Sequence, residues 1–163
     1  MRRYDQLGES PPKFEFAQND NTFKSKGAHT LLHHGPDVPM RRSPDPETLT
    51  IEGRIFGDPP WGHSESRSYR WTDHSTMNRE VNRYVRENWE AIRSDLALTG
   101  RHKDGFDAHH RVGEGFYNKG MHGAGPREAV YGVTSLVIVR IKLVAGSDPP
   151  QVFVDSAYPS GLL

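Results

Sequence analysis

The chain has 163 residues, 34% apolar and 26% charged, with 21 basic side chains balancing 21 acidic ones and no cysteine. That length favours one domain with a real core. The balance excludes a general basic field for nucleic acid, leaving only a local cluster as a polyanion site, and the missing thiols exclude disulfides and thiolate metal sites or nucleophiles.

Residues 1–26 are polar, proline-containing and without a sustained period, which predicts a linker or loosely docked arm ahead of a domain at 27–163. They lack the apolar centre of a signal peptide, and no apolar run in the chain approaches the roughly 20 residues of a membrane span. "GAHTLLHHG" is a short apolar stretch stopped by Gly35-Pro36, long enough for two helical turns at most. In such a helix His29 and His33 share a face, with Leu31 and Leu32 turned to the core. Pro36, Pro39, Pro44 and Pro46 make 36–48 a loop. The alternation of Leu49, Ile51 and Ile55 predicts a strand over 48–56, and "SYRWT" (68–72) predicts another. Met77, Val81, Tyr84, Val85, Ile92 and Leu96 recur at three- and four-residue spacings, predicting one long helix at about 75–98, capped by Asp73 or Ser75 and ended by Gly100. The glycine-rich 99–126 predicts a long loop, functional or disordered. "TSLVIVRIKLV" (134–144) predicts a central strand, and "QVFVDSAY" returns beside it antiparallel. The order of elements gives an α+β domain, with a short N-terminal helix and one long helix packed on an antiparallel β-sheet.

The last strand ends oddly. "VFVDSAYP" starts apolar and then turns polar; simple alternation points Ser156 and Tyr158 the same way as Val152 and Val154, and Pro159 closes the element. Ser156 lacks the glycine-rich elbow of an acyl-transfer nucleophile. Nine histidines are unusually many and suit proton transfer near neutral pH. His109-His110 invite a metal reading, but Asn118 and His122 follow too closely for a ββα-metal nuclease and no HExxH pattern is present, so no metal and no cofactor are expected. "GEGFYNKG" is GxGxxG-like but lacks a surrounding strand–helix frame, and the GK[ST] of a phosphate loop is missing. His29 and His33 read either as a general acid or base on a rigid turn or as the imidazole face of a short amphipathic helix.

Taken together, "GAHTLLHH", the helix "STMNREVNRYVRENWEAIRSDL" and the terminal "SAYP" resemble the bacterial RNase A-like domains at the C-termini of contact-dependent inhibition and related polymorphic toxins, over residues 27–159. That family opens on a Gly-His-Thr-like turn and ends on a strand reading Thr-Ala-Tyr-Pro or close to it. The resemblance implies His29, Ser156 and Tyr158 as site residues. It also implies an arginine soon after the histidine, for which Arg41 and Arg42 are the candidates and Arg41 is favoured on spacing. His33, His34 and Arg42 are expected to contact substrate; which histidine completes an acid–base pair stays open. The chain departs from the family in carrying serine for threonine at 156, and in a strand-like segment where the family has a helix after the histidine turn.

The implied chemistry is metal-free RNA cleavage through a 2′,3′-cyclic phosphate. The implied partners are RNA, tRNA among the candidates, a cognate immunity protein, and a parent delivery protein N-terminal to the domain that carries it into a target-cell cytoplasm. Two other classes compete. An ADP-ribosyltransferase would need an acid near its last strands, and Glu114 is the nearby candidate. A non-enzymatic binding or immunity module would more often be acidic, whereas this chain is neutral.

Overall fold

Val137, Val139 and Ile141 alternate along one strand with 1% exposure or less, which places that strand at the centre of the molecule. The chain is described by a computed structural model covering residues 2–120 and 125–161; His122 lies outside the described residues. Among these, helices α1 (Arg3–Leu7), α2 (Phe16–Thr22), α3 (Thr30–His34) and α4 (Ile51–Phe56) precede strand β1 (Arg67–Trp71). Helices α5 (His74–Glu87) and α6 (Trp89–Thr99) follow, and then strands β2 (Arg101–Asp107), β3 (Gly113–Asn118), β4 (Ala129–Thr134), β5 (Leu136–Leu143) and β6 (Val152–Ser160). The class is α+β, as expected, but the strands form two antiparallel sheets, ordered β1-β3-β4 and β2-β5-β6. No helix among the described residues is long and apolar enough to cross a membrane.

Five expectations are corrected. The segment 48–56 is helical, not extended. Thr50 Oγ1 accepts the Gly53 N–H at 2.9 Å, Gly57 ends the helix at φ 73°, and Ile51 and Ile55 lie one turn apart on its buried face. Residues spaced by four satisfy both a two-residue and a helical period, so the alternation was ambiguous. The expected single helix breaks at Asn88, whose backbone (φ −122°, ψ 18°) leaves the helix while its side chain donates to the Tyr84 carbonyl at 2.9 Å.

The glycine-rich 99–126 contains two strands. Of the β2 residues only His102 is buried, since β2 is a sheet edge, and that leaves little apolar pattern to read. In β3 the glycines answer to close approach: a Cβ on Gly115 would stand 2.0 Å from the Ser68 carbonyl oxygen, and one on Gly113 would stand 2.3 Å from Pro159 Cβ.

Nor are residues 1–26 a loose arm. Phe14 and Phe16 join the main core. Asn82 Oδ1 accepts the Phe14 N–H at 2.7 Å, and its Nδ2 donates to the Phe14 carbonyl at 2.8 Å. Asn19 does the same for Val154, at 2.9 and 2.8 Å, covering part of the open edge of β6. β6 itself runs through Pro159 to Ser160, because a proline is tolerated in a strand at a sheet edge.

Candidate active site

One extra residue aims the last strand. Arg140 pairs with Ser156 and Ile141 with Val154, so Asp155 has no opposite number and forms a bulge. In a regular strand Ser156 and Tyr158 would follow Val154 into the core. The bulge reverses the faces: Val154 and Ala157 stay in the core, while Ser156 and Tyr158 turn to a cleft beside Ile138 and Arg140. The expectation from alternation is thereby corrected, and the polar ending of the strand acquires a reason.

The histidine turn is stitched to that bulge. The His29 N–H donates to the Asp155 carbonyl at 3.2 Å, and the Ala157 N–H donates to Thr30 Oγ1 at 3.0 Å. From β1, the Trp71 indole N–H donates to the Ala157 carbonyl at 2.8 Å. Backbone groups that a further strand would have paired instead hold α3 and β1 in place. His29 caps α3 with its ring half-buried, and His34 is buried at the other end of the turn. Leu31 packs at the edge of the core, but Leu32 is 59% exposed, so only one of the two leucines turns inward as expected.

The imidazoles are set by their partners. His29 Nδ1 lies 2.8 Å from the Gly27 carbonyl and His34 Nδ1 lies 3.1 Å from the Tyr69 carbonyl. A carbonyl only accepts, so in each ring Nδ1 carries the hydrogen and Nε2 keeps a free lone pair when neutral. His34 stacks on Tyr158, with centroids 4.7 Å apart and planes at 19°. Burial pushes the His34 pKa down to about 3, helped by the positive charge of Arg54 and opposed by the Tyr69 carbonyl. Burial, then the charges of His29 and Arg54, lower His33 to about 4. The His33 ring is 4.7 Å from that of His29 and meets Trp61 edge-on at 5.1 Å. One ligating nitrogen from each of His29, His33 and His34 falls within 4.8 Å of the other two.

The cleft, of about 570 Å³, is lined by His29, His34, Ser156 and Tyr158 together with Arg54, Arg67, Arg140 and Ser68; among the described residues Glu65 is the only carboxylate in its wall. A chain of zero net charge thus gathers three arginines at one site. Arg140 Nε and Ser68 Oγ are buried and have no hydrogen-bond partner among the described residues. Arg54 lies over the Trp61 ring at 4.6 Å, and burial lowers its pKa.

Arg41 and Arg42 are not in this wall. The Arg41 guanidinium covers Phe116 at 5.2 Å, and Arg42 forms a two-pronged pair with Asp58, both contacts at 2.8 Å. Arg54, Arg67, Arg140 and Ser68 went unpredicted. The readable signal was Arg140, a single charge inside the apolar run "LVIVRI", whereas Arg54 was hidden by the misassigned helix. Glu114 is tied to Arg70 and Arg111 at 2.9 Å each and lies outside the cleft wall. His110 bonds Glu80 at 2.8 Å.

No protein-family model matches the chain, and no curated protein matches its sequence. Among solved structures it is similar to a CdiA-CT/CdiI complex from Y. kristensenii 33638, at 13% identity over 57% of this chain and 76% of that one, with a TM-score of 0.45. A likeness so distant leaves any functional reading to the cleft itself.

Proposed function

We propose that the chain is a metal-independent endoribonuclease, an RNase A-like toxin domain that cleaves RNA by attack of the ribose 2′-hydroxyl on the neighbouring phosphorus. The observation that carries this reading is the cleft in which His29, Ser156 and Tyr158 meet three arginines, two of its buried polar atoms having no partner among the described residues. Unpartnered buried donors are costly unless a ligand satisfies them. A guanidinium Nε–H and a hydroxyl in the wall of one cleft suit the nonbridging oxygens of a phosphodiester. The helix α4 that follows the histidine turn removes one departure from the family pattern and adds support.

In this reading the 2′-oxygen forms a bond to phosphorus as the bond to the 5′-oxygen breaks. A base takes the 2′ proton and an acid returns one to the leaving oxygen, giving a 2′,3′-cyclic phosphate and a 5′-hydroxyl. His29 is the proton carrier. Arg140 takes the part assigned from the family pattern to Arg41, holding the phosphate, with Ser156 donating to the charge that develops on it. His34, neutral throughout the physiological range, cannot serve as the acid; it fixes the Tyr158 ring against the scissile group. Glu114, committed to two arginines elsewhere, gives no support to an ADP-ribosyltransferase.

Such a domain needs a delivery protein to carry it and an immunity protein to protect its producer. The cationic cleft is the surface an acidic inhibitor would fill. The deciding test is total RNA incubated with the protein in EDTA. Cleavage leaving cyclic phosphate ends is expected; activity abolished by chelator and restored by magnesium would overturn the mechanism.

A further inference from the structure

The three histidines of the turn have a second capacity that proton transfer does not use. They follow the pattern His-x-x-x-His-His, in which α3 brings together positions separated by four and five residues, His29 and His34 in the cleft wall and His33 outside it beside them. The His33 N–H donates to the His29 carbonyl at 3.2 Å, closing that turn. The ring centroids are 4.7 Å apart for His29 and His33, 6.2 Å for His29 and His34, and 6.1 Å for His33 and His34.

Two of the rings are oriented as metal-ligating histidines are. His29 and His34 each give the Nδ1 hydrogen to a backbone carbonyl, of Gly27 and of Tyr69, which fixes the tautomer and turns the Nε2 lone pair away from that bond. The third ring, His33, is only half-buried and free to adjust. Nitrogens within 4.8 Å of one another need to close to about 3.4 Å to share a tetrahedral ion with bonds near 2.05 Å, a change that turning the half-buried His33 ring, with small shifts of the other two, can supply. The charge that opposes a cation here is Arg54, which faces His33 and His34. Glu65 stands in the same wall to offset it, and a fourth ligand position opening to the cleft can hold water or an anion.

We propose that His29, His33 and His34 form a binding site for a late first-row dication such as Zn²⁺, and that its binding switches the cleft off. Three imidazoles without thiolate or paired carboxylates favour Zn²⁺ or Cu²⁺ over Mg²⁺ or Ca²⁺. The metal bonds the same Nε2 lone pair of His29 that would accept or pass a proton, so metal and catalysis exclude one another. This second half rests on the ribonuclease reading; the binding half does not.

The experiment titrates Zn²⁺ into metal-free protein by calorimetry and Cu²⁺ by electron paramagnetic resonance, beside an RNA cleavage assay over the same Zn²⁺ range. One ion per chain is expected, with hyperfine structure from imidazole nitrogens, and cleavage that falls as the site fills and returns with EDTA. His29→Gln and His33→Gln, folded by circular dichroism, should each weaken binding by more than the roughly 10–100-fold loss typical of a disturbed outer-shell partner. His74→Gln should bind as the wild type does. Absence of saturable binding, binding indifferent to both substitutions, or full cleavage at saturating Zn²⁺ would overturn the proposal. If the ion binds through these histidines but no RNA is cleaved even in EDTA, the site stands and the ribonuclease reading falls. If RNA is cleaved in EDTA and no ion binds, the reverse holds.

Discussion

His34 shows how strongly one residue's surroundings can limit its chemistry. Buried, bonded to the Tyr69 carbonyl and stacked on Tyr158, it titrates at about 3 in the fold against about 6.5 in a free chain. As pH falls the unfolded chain takes up the proton first. The stabilisation is therefore complete above about 6.5 and is lost progressively as pH drops toward 3. Between pH 7 and 5 this one group should cost about 2 kcal/mol of stability. Urea unfolding in EDTA at both pH values should show that loss, and His34→Gln should lose correspondingly less; equal losses in the two proteins would refute the assignment. Ser156 and Arg140 face each other across the bulge and should fail differently from Arg41. Ser156→Ala removes one donor and little volume, so turnover should fall by about 10²–10³ with substrate affinity nearly kept. Arg140→Gln should lose both turnover and affinity, and Arg41→Gln should lose neither. Steady-state kinetics on a short RNA separates these outcomes.

Among the elements, the N-terminal segment is secured by side chains imitating a strand. Asn82 supplies both the acceptor and the donor that the Phe14 backbone requires, in a buried setting. Asn82→Ala leaves that N–H and carbonyl unpaired and should destabilise the protein by about 2–3 kcal/mol, read from the urea midpoint. Faster proteolysis within residues 1–26 should accompany it. The same segment shows why the sequence was only partly legible. The amphipathic stripe of α5, the central strand β5 and its antiparallel return were readable because burial imposes a period on them. The docking of Phe14 and Phe16 was not, since it depends on asparagine–backbone bonds spanning 68 and 62 residues, which leave no local pattern. Nor was the facing of Ser156 and Tyr158: one bulged residue inverts every side chain beyond it, and nothing in "VFVDSAYP" marks Asp155 as the extra one. His29 and His34 of the cleft wall were singled out by chemistry and motif, whereas its arginines, being tertiary neighbours from three separate elements, were not.

For the molecule as a whole, on the ribonuclease reading, a net charge of zero with cations gathered at one cleft predicts RNA binding that is local and modest in its salt dependence. If Arg54, Arg67 and Arg140 each neutralise one phosphate, log Kobs for a single strand should fall with log[salt] at a slope of about −2. A His29→Ala protein that binds without cutting allows the measurement by fluorescence anisotropy, and a slope near zero would remove the arginines from the RNA path. The stitch between the histidine turn and the last strand has one further consequence. Thr30 and Ala157 are bonded across 127 residues of chain, and His29 reaches the bulge by the same route. A ribosome releases the histidine turn well before the strand that holds it. Until that strand docks, the bulge that orients Ser156 and Tyr158 does not exist, and His29 has nothing to face. On the ribonuclease reading, a growing or threaded polypeptide is therefore harmless to the RNA around it, and completion of folding is the step that arms it.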